Sequence, residues 1–376
     1  MDNIERNKKV LFVATVDSHI INFHTPYLKL LRDNGYEVHV CTGEDGKIPF
    51  CDKKHSISIT RSPYRLGNIK AIKQLRNIIN MNNYEFIHCH TPMGGVVTRL
   101  AAKEARQRRT KVLYTAHGFH FYKGAPILNW LIYYPIEKWL SKYTDILITI
   151  NEEDYNIARN KFKKIKNIKY VNGVGLDTTK FDIKITDTEL EQLRKSIGIN
   201  KDNIVLTYVA ELNKNKNQIL LLKAIQELIK ENKEYRLILV GDGDKRQEYE
   251  EYILQHNLEE YVKILGRRED IPQILNITDI YVASSLREGL PVNILEAMYM
   301  DLPIIATDNR GHRELIKDDY NGCIINNNTK KLKNKIVLLT EDKSICDRFK
   351  IITEKDIKKY KLERVREVLK EIYMLK

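Results

Sequence analysis

Two glutamates, Glu288 and Glu296, stand eight positions apart in the stretch REGLPVNILEAM, between the apolar segments DIYVASS and LPIIATD. The first apolar segment is typical of a buried strand, so Glu288 follows a strand end. Pro291 suits the first turn of a helix, where its missing N–H leaves no hydrogen bond unmade. Glu296 would then fall about one and a half turns into that helix.

This arrangement of acids and a helix start suggests a specific ligand chemistry. The N-terminus of a helix attracts phosphate through its free N–H groups and its macrodipole. Carboxylates would repel a diphosphate but bind neighbouring sugar hydroxyls well. An anion site with a hydroxyl acceptor on either side fits a nucleotide sugar, which contains ribose, diphosphate and hexose. The alternative from this stretch alone is that both glutamates are exposed helix and loop residues.

Strand-like runs and amphipathic helical stretches alternate twice along the 376 residues, a length that favours two domains. The first series of runs is KKVLFVATV, EVHVCT, FIHCH, KVLYTAHG and DILITIN, with helical patterns at 23–32, 71–79, 96–106 and 128–140. The second series is NIVLTYVA, YRLILVGDG, VKILG, DIYVASS, PIIATD and GCIIN. Short buried strands separated by helices indicate parallel sheets with right-handed crossovers. The sequence therefore predicts an α/β fold with two doubly wound, Rossmann-like domains.

The domain boundaries follow from the same pattern. We predict an N-terminal domain at 1–174, a polar linker at 175–189, a C-terminal domain at 190–355 and a final helix at 356–376 that packs back on the N-terminal domain. Ligands of open parallel sheets bind beyond the carboxyl ends of the strands. If the two domains face each other, those ends surround one central cleft, so the residues that follow each strand are the candidates for function.

Composition limits the kind of protein and its partners. The net charge of +13 lies entirely in residues 1–175, which carry 28 Lys and Arg against 15 Asp and Glu, whereas residues 176–376 carry 35 of each. This excess indicates either a solvated lysine-rich surface or an anionic membrane surface as partner. Nucleic acid is disfavoured because no zinc-finger, RNA-recognition or basic-zipper pattern occurs.

Targeting and redox signals point to the cytoplasm. No run of about 18 apolar residues occurs. The start, MDNIERNKKVLFVATV, is typical of a first strand rather than a signal peptide. The five scattered cysteines form no CxxC pair, which predicts reduced thiols without a disulfide frame or a zinc site.

Several blocks in a fixed order resemble one enzyme family. EGLPVNILEA resembles the E-x7-E motif of retaining GT-B glycosyltransferases of the fourth sequence family. The resemblance continues through VLFVATV, FIHCHTPMGG, LYTAHGFH, AELNKNKNQ, LVGDGDKR, LGRREDIPQIL and TDNRGHREL. HCHTPMGG, AHGFHFYKGAPILNWLIYYPIEKWLS, ITINEEDY and ASSLREGL are most similar to the EpsD-type enzymes of exopolysaccharide and capsule synthesis. The resemblance implies a GT-B fold, whose two Rossmann-like domains face a central cleft.

The resemblance also assigns donor-side roles. It implies that Glu288 contacts the donor hexose, Glu296 holds the ribose hydroxyls and Lys216 binds the diphosphate as a catalytic cation. Glu211 stands where most members have a second diphosphate-binding arginine, and Lys214 is the candidate substitute. The remaining donor-side candidates are the backbone at Gly289, Leu290, Val292 and Asn293, the pocket residues Gly241, Gly243 and Arg267, and Gly311, where close backbone approach is expected, with Glu314 nearby. GDG alone is equally explained by a tight strand-to-helix turn.

The N-terminal half supplies the other candidates. His117 follows the strand KVLYTA and matches the family histidine that lines the donor hexose, so we count it as catalytic. The acceptor-side candidates are Asp17, Ser18, His19, His90 and His120. His88 and His90 alternate on one strand and resemble metal ligands, but no carboxylate or thiol cluster completes a site. The family generally needs no metal, so no metal and no cofactor are predicted.

Together these features predict a retaining, metal-independent glycosyltransferase. The resemblance implies transfer of a sugar, with N-acetylhexosamine as the best candidate, from a UDP-sugar to a polyprenyl-diphosphate-linked saccharide. The aromatic helix at 128–140 is expected to pack in the core, or to meet an anionic membrane as part of a peripheral protein at its inner face. The alternatives are a glycoside hydrolase that uses Glu288 and Glu296 as an acid/base pair, a UDP-sugar 2-epimerase of the same architecture, and a non-catalytic nucleotide-binding protein.

Overall fold

The computed structural model describes residues 8–375 and divides the chain into two compact units. The first unit comprises Met1–Gly175 and Val365–Lys376, and the second comprises Leu176–Arg364. The charged residues 1–7, which precede the first predicted strand, lie outside the described residues.

A seven-stranded parallel sheet forms the centre of the first unit. Its strands are β1 (Lys8–Val13), β2 (Tyr36–Thr42), β3 (Lys53–Ser56), β4 (Tyr84–Cys89), β5 (Lys111–Ala116), β6 (Ile146–Thr149) and β7 (Asn167–Tyr170). The strand order is β3-β2-β1-β4-β5-β6-β7. The helices are α1 (Asp17–Phe23), α2 (Thr25–Asp33), α3 (Gly67–Met81), α4 (Pro92–Ala101), α5 (Lys103–Gln107), α6 (Ile127–Leu140) and α7 (Glu152–Lys161), with a 3-10 turn at Ser141–Tyr143.

The second unit repeats this plan with a six-stranded parallel sheet of order β10-β9-β8-β11-β12-β13. Its strands are β8 (Ile204–Val209), β9 (Tyr235–Val240), β10 (Val262–Ile264), β11 (Ile280–Ala283), β12 (Ile304–Thr307) and β13 (Cys323–Ile325). The helices are α8 (Asp187–Ser196), α9 (Ile219–Leu228), α10 (Arg246–Gln255), α11 (Ile271–Asn276), α12 (Val292–Tyr299), α13 (Arg310–Leu315), α14 (Thr329–Glu341), α15 (Lys343–Ile357) and α16 (Leu362–Tyr373), with 3-10 turns at Thr178–Lys180 and Lys358–Tyr360. The last of these helices, α16, continues into the first unit at Val365.

Both sheets reverse their strand order beside the first strand of the unit, between β1 and β4 and between β8 and β11. In doubly wound sheets this switch point, at the carboxyl ends of the strands, is where ligands bind. The predicted α/β fold with two Rossmann-like domains is confirmed. Each unit therefore has one edge at which functional side chains are expected.

The sequence missed two strands and placed several boundaries differently. β3, with the sequence KKHS, and β7, with NIKY, are short polar edge strands, so they lack the apolar run that marks a buried strand. The helical pattern at 23–32 corresponds to α2, which begins at Thr25, because His24 separates α2 from the shorter helix α1 that ends at Phe23. The pattern at 96–106 is likewise divided, at Ala102.

The bounds of the predicted linker and of the final helix differ from those in the structure. Residues 176–189 belong to the second unit, and Thr186 and Glu189 form a capping box that starts α8. The final helix α16 begins at Leu362, after a 3-10 turn. At its end the Tyr373 hydroxyl lies 2.9 Å from His88 Nδ1, and its ring stacks on Phe86 with centroids 5.1 Å apart. The C-terminus thus packs against β4 of the first unit.

A buried ion pair fixes the helices around β5. The Arg99 side chain on α4 is 1% exposed and binds Glu137 of α6 through two hydrogen bonds of 2.7 and 3.0 Å. Its guanidinium lies 4.1 Å from the Tyr114 ring centroid. A Cβ on Gly95 would approach that ring to 2.6 Å, so only glycine lets α4 lie this close to β5. The segment GGVVTR therefore positions α6 through packing.

We expect Arg99→Met to lower the free energy of unfolding of the first unit by about 3–5 kcal/mol, because it leaves Glu137 unpaired at a mostly buried position. Both tryptophans of the chain, Trp130 and Trp139, lie on α6, so tryptophan fluorescence during urea unfolding reports this unit. Lys29→Met is the matched control, since its ion pair with Asp33 is about half exposed and contributes about 0–1 kcal/mol. Equal losses in the two variants would contradict this role of Arg99.

Candidate active site

At the switch point of the second sheet, hydrogen bonds join the loops after β8 and β11. Leu286 N donates to Asn215 O at 2.8 Å, and Asn215 Nδ2 donates to Arg287 O at 3.0 Å. Ser284 Oγ donates to Lys216 O at 2.7 Å. These bonds hold the backbone of Lys216 beside the segment that carries Glu288.

Lys216 and Glu288 form an ion pair at this edge. Lys216 Nζ lies 2.6 Å from Glu288 Oε1, and the two side chains are 20% and 14% exposed. Burial acts to raise the pKa of Glu288, but the charge of Lys216, then that of His312, outweighs burial and holds the pKa below 4.5. Glu288 is therefore a carboxylate at neutral pH. The structure brings together the two residues to which the resemblance assigns the hexose and the diphosphate.

The backbone of Glu288 is held by α13. A Cβ on Gly311 would lie 2.6 Å from Glu288 Cβ and 2.8 Å from its carbonyl carbon, so glycine is required for this contact. Arg310 Nε also donates to Glu288 O at 3.2 Å. The close backbone approach expected at Gly311 is therefore an approach to Glu288 itself.

Helix α12 starts beside the end of β8. Pro291 occupies the N-cap, one residue before the first turn in which the sequence placed it. Asn293 Nδ2 donates to Val209 O at 2.8 Å, which ties the helix start to β8. The first N–H groups of a helix have no intrahelical acceptor, so Val292 and Asn293 present donors at the edge that holds Lys216. A cation and a helix N-terminus together make an anion site.

Glu296 lies on the same helix in a half-buried position. Within residues 8–375 its carboxylate has no hydrogen-bond or salt-bridge partner. Burial raises its pKa to about 7, and the charge of Lys180 opposes this only partly. Such a carboxylate can accept hydrogen bonds from a ligand as soon as it ionises.

The other donor-side candidates are less constrained by their contacts. Lys214, Arg267 and Glu211 are exposed. A Cβ on Gly241 would lie 2.0 Å from Ala210 O, and one on Gly243 would lie 2.3 Å from Leu212 O. The two glycines of GDG therefore allow the turn after β9 to pack against the loop after β8, as the tight-turn interpretation requires.

Buried polar residues that were not predicted from the sequence support this edge. Ser285 O accepts hydrogen bonds from Thr307 Oγ1 at 2.6 Å and from Asn309 Nδ2 at 2.9 Å, and Ser285 Oγ lies 2.6 Å from Tyr208 OH. His312 Nδ1 donates to Thr307 O at 2.6 Å. The sequence did contain a sign of this support, since Ser284 and Ser285 directly follow the apolar strand β11. Buried polar side chains at such a strand end need hydrogen-bond partners.

In the first unit, four histidines converge at the switch point. His19 Nε2 and His117 Nε2 lie 3.3 Å apart, His24 Nε2 lies 3.4 Å from His19 Nε2, and His90 Nδ1 lies 3.3 Å from His117 Nε2. Burial lowers the pKa of all four, to about 4 for His19. His88, which the sequence paired with His90, instead contacts Thr115 Oγ1 at 2.7 Å. We call His19, His24, His90 and His117 the histidine cluster.

The acceptor-side candidates are only partly brought together. Of these candidates, Ser18 and His19 line one pocket, together with Arg61 and the catalytic candidate His117. His120, whose ring lies 4.6 Å from that of Tyr133, lines a second pocket that also includes Arg61.

Two of the acceptor-side candidates do not reach these pockets. Asp17 is buried, and its carboxylate binds Lys54 Nζ and Thr42 Oγ1, both at 2.6 Å. His90 is fully buried inside the histidine cluster. Sequence position after a strand end could not distinguish these two from the pocket-lining residues.

The segment ITINEEDY positions the loop after β5. Asn151 caps α7 by accepting from Asp154 N at 2.8 Å. The buried Asp154 carboxylate accepts from Phe119 N at 3.0 Å, and Glu153 accepts from Lys123 N at 2.6 Å. These carboxylates fix the loop that carries His117 and His120, so this motif is explained by loop support.

Comparisons with known proteins agree with this architecture. Residues 189–356 match the family model of glycosyl transferases group 1, and residues 9–151 match the glycosyl transferase 4-like model. The chain is 46% identical over 318 residues, 85% of its length, to EpsD of Bacillus subtilis strain 168, whose name places it among the glycosyltransferases, and the match covers 83% of that protein.

Two characterised activities appear in the names of more distant relatives. The UDP-Gal:α-D-GlcNAc-diphosphoundecaprenol α-1,3-galactosyltransferase of Escherichia coli is 28% identical, with 92% of this chain and 91% of that protein covered. The N,N'-diacetylbacillosaminyl-diphospho-undecaprenol α-1,3-N-acetylgalactosaminyltransferase of Campylobacter jejuni is 26% identical, with 90% of each covered.

Solved structures show the same fold at low identity. Anabaena HepE in complex with UDP and glucose superposes with a TM-score of 0.77 and 20% identity, covering 98% of this chain and all of that one. Sucrose-phosphate synthase from Thermosynechococcus elongatus has a TM-score of 0.77 at 15% identity, with 98% of each chain covered. With two matching family models and a 46% identical relative, the chain belongs to the GT-B glycosyltransferases.

Proposed function

We propose that the protein is a retaining glycosyltransferase that moves a sugar from a UDP-sugar to a polyprenyl-diphosphate-linked saccharide in exopolysaccharide or capsule synthesis. The observation that carries this proposal is the Lys216–Glu288 pair at 2.6 Å, beside the start of α12. A cation, free helix N–H groups and a carboxylate in one place match the diphosphate and the hexose of such a donor.

The leaving group is stabilised by charge. The bond between the anomeric carbon and the diphosphate oxygen breaks, and its electron pair leaves with UDP. Lys216 and the N–H groups of Val292 and Asn293 neutralise this developing charge without a metal ion at the diphosphate. The acceptor hydroxyl attacks the same face of the sugar, and its proton passes to the departing phosphate. Configuration at the anomeric carbon is therefore retained.

The carboxylates orient the donor. Glu288, which is ionised, accepts hydrogen bonds from hexose hydroxyls, and Glu296 accepts those of the ribose 2′- and 3′-hydroxyls. Lys214 supplies a second cation in place of the arginine that most members have at the position of Glu211. In the first unit, Ser18, His19 and His120 line the pockets assigned to the saccharide. His117, which lines the same pocket as His19, is assigned to the donor hexose at the reaction centre.

The chemistry of donor and acceptor is supported by the names of the relatives. The E. coli relative is named for a UDP-sugar donor and for an acceptor linked to diphosphoundecaprenol, and the C. jejuni relative is named for transfer of N-acetylgalactosamine to such an acceptor. We therefore propose a UDP-linked N-acetylhexosamine as donor and a lipid-linked saccharide as acceptor.

An enzyme with a lipid-linked acceptor needs a surface that binds the membrane, and the exposed side of α6 is suited to this role. No helix within residues 8–375 is long and apolar enough to cross a bilayer. Core packing, the first expectation for this helix, holds only for one face, since Trp130, Tyr133 and Tyr134 pack on the core. The opposite face exposes an apolar stripe, the α6 stripe, composed of Ile127, Leu128, Leu131, Ile132, Ile136 and Trp139.

Positive charge accompanies this stripe. Lys142 Nζ and Lys103 Nζ lie 5.1 and 5.6 Å from the Trp139 ring centroid. Apolar and aromatic side chains flanked by lysines are typical of helices that lie in the interface of an anionic membrane. We propose that this face of the first unit rests on the inner face of the cell membrane, as a peripheral contact.

Replacing Lys216 tests the donor site. Lys216→Met is expected to lower kcat about 100- to 1000-fold, because one preorganised donor to the developing charge is lost. Lys223→Met, an exposed lysine of α9 in the same unit, is the matched control and should keep full activity. The measurement is transfer of radiolabelled sugar from a panel of UDP-sugars to a polyprenyl-diphosphate saccharide.

The same assay separates the alternatives. Product formed without any acceptor would indicate a 2-epimerase, and cleavage of glycosides without a nucleotide sugar would indicate a hydrolase. Near-normal transfer by Lys216→Met would refute the assigned role of the lysine.

The pKa of Glu296 gives a pH test. Because its raised pKa of about 7 leaves it protonated at lower pH, and the ionised form accepts both ribose hydroxyls, UDP-sugar affinity should rise with pH through 7. Below pH 7 the affinity should fall by up to about tenfold per unit. Titration calorimetry with a UDP-sugar measures this, and Glu296→Gln should bind weakly with no such step. An unchanged pH profile in that variant would contradict a ribose contact.

The membrane contact is tested by charge insertion. The double variant Leu128→Glu/Leu131→Glu should weaken binding to anionic phospholipid vesicles at least about tenfold. Each leucine that leaves water for the membrane contributes about 1.5–3 kcal/mol to binding. Met81→Glu is the control, since Met81 is exposed by 84% at the end of α3, outside the stripe. If flotation shows equal vesicle binding by the wild type and the double variant, the proposed membrane surface is wrong.

A further inference from the structure

The histidine cluster has the spacing of a metal-coordination sphere. Three nitrogen–nitrogen contacts within it are 3.3, 3.4 and 3.3 Å, and one nitrogen from each of the four rings lies within 4.8 Å of the others. A tetrahedral ion with metal–nitrogen bonds of 2.0–2.1 Å has ligand–ligand edges of roughly 3.3–3.4 Å. The three contacts therefore match three edges of such a tetrahedron.

The ring positions support the same geometry. For tetrahedral coordination by imidazoles, ring centroids lie roughly 5.2 Å apart. Five of the six centroid distances in the cluster fall between 4.6 and 6.0 Å. The sixth, between His24 and His90, is a stack at 3.7 Å, so these two rings must turn apart for both to coordinate.

The cluster is built by the fold, because its members come from separate elements. His19 lies on α1, His24 between α1 and α2, His90 directly after β4 and His117 directly after β5. The strand order places the ends of β1, β4 and β5 side by side at the switch point. Convergence of four imidazoles from three chain segments, residues 19–24, 90 and 117, at one point needs a reason, because imidazoles in contact cannot all be cationic.

Hydrogen bonding alone satisfies this arrangement poorly. His117 Nε2 contacts both His19 Nε2 and His90 Nδ1, and His19 Nε2 also contacts His24 Nε2. Each nitrogen of a neutral imidazole is either one donor or one acceptor. With neutral rings, either His19 Nε2 or His117 Nε2 must therefore share its single hydrogen between two neighbouring rings, while the other must accept from two. A cation at the common point accepts one lone pair from each ring and replaces these shared hydrogen bonds.

We propose that His19, His24, His90 and His117 bind one transition-metal dication of the class that prefers imidazole, such as Zn²⁺ or Co²⁺. Imidazole is a preferred ligand of these ions. The ion can enter from solvent, because His19 and His117 line an open pocket. Arg61 lines the same pocket and its charge opposes a cation, which limits affinity without blocking the site. Bound metal cross-links α1, β4 and β5 and stabilises the first unit.

The test uses the untagged full-length protein, stripped of metal with a chelator and titrated with Co²⁺ in the absence of any sugar nucleotide. The wild type should bind one equivalent and show the visible absorption of tetrahedral Co²⁺. Tryptophan fluorescence should show that the first unit of the Co²⁺-bound protein unfolds at a higher urea concentration than that of the metal-free protein. Loss of a residue that only hydrogen-bonds to a metal ligand costs about 10- to 100-fold in metal affinity. Because His19 is proposed to contact the metal itself, His19→Ala should bind Co²⁺ more than about 100-fold more weakly than the wild type.

The controls keep the result interpretable. His19→Gln retains a polar side chain of similar length and guards against misfolding of the alanine variant. His256→Ala removes a histidine at the end of α10 in the second unit and should bind Co²⁺ as the wild type does. Equal Co²⁺ affinity in wild type and both His19 variants, or no tetrahedral spectrum in the wild type, would overturn the proposal. Either result would leave UDP-sugar binding by the second unit unaffected.

Discussion

The ion pair between Lys216 and Glu288 is the interaction on which the proposed donor site depends. It joins the loops after β8 and β11, the two strands between which the order of the second sheet reverses. Neither side chain is well solvated, so each needs the other while no ligand is present. In the proposed donor complex, a diphosphate bound at Lys216 would supply a new negative partner, and the sugar would supply hydroxyl donors to Glu288.

The surrounding structure keeps that pair in place through small residues and buried polar groups. Gly311 lets α13 touch the backbone of Glu288, and Ser285 is held by Thr307, Asn309 and Tyr208. The first unit uses the same devices, with Gly95 against Tyr114 and Arg99 against Glu137. In both sheets, packing far from solvent thus determines where the strand-end loops point.

The sequence predicted the parallel strands of both cores, because continuous apolar runs mark buried strands. It missed β3 and β7, whose polar edge sequences carry no such signal. For the candidate site, motif position selected Lys216, Glu288 and Gly311, which the structure places together. It could not separate the buried, ion-paired Asp17 from the pocket-lining Ser18. His19, His90 and His117 were candidates individually, but their grouping with His24 was beyond prediction, because residues 19–24, 90 and 117 meet only through strand order.

Hydrogen–deuterium exchange of the full-length protein with and without UDP tests the central claim, that the switch point of the second sheet holds the nucleoside diphosphate. Ligand contact slows exchange of the amides that it covers. The account predicts slower exchange at residues 213–217 and 289–293 and unchanged exchange at the corresponding loops of the first unit, residues 14–19 and 90–94. Protection confined to the first unit, or none in the second, would contradict it.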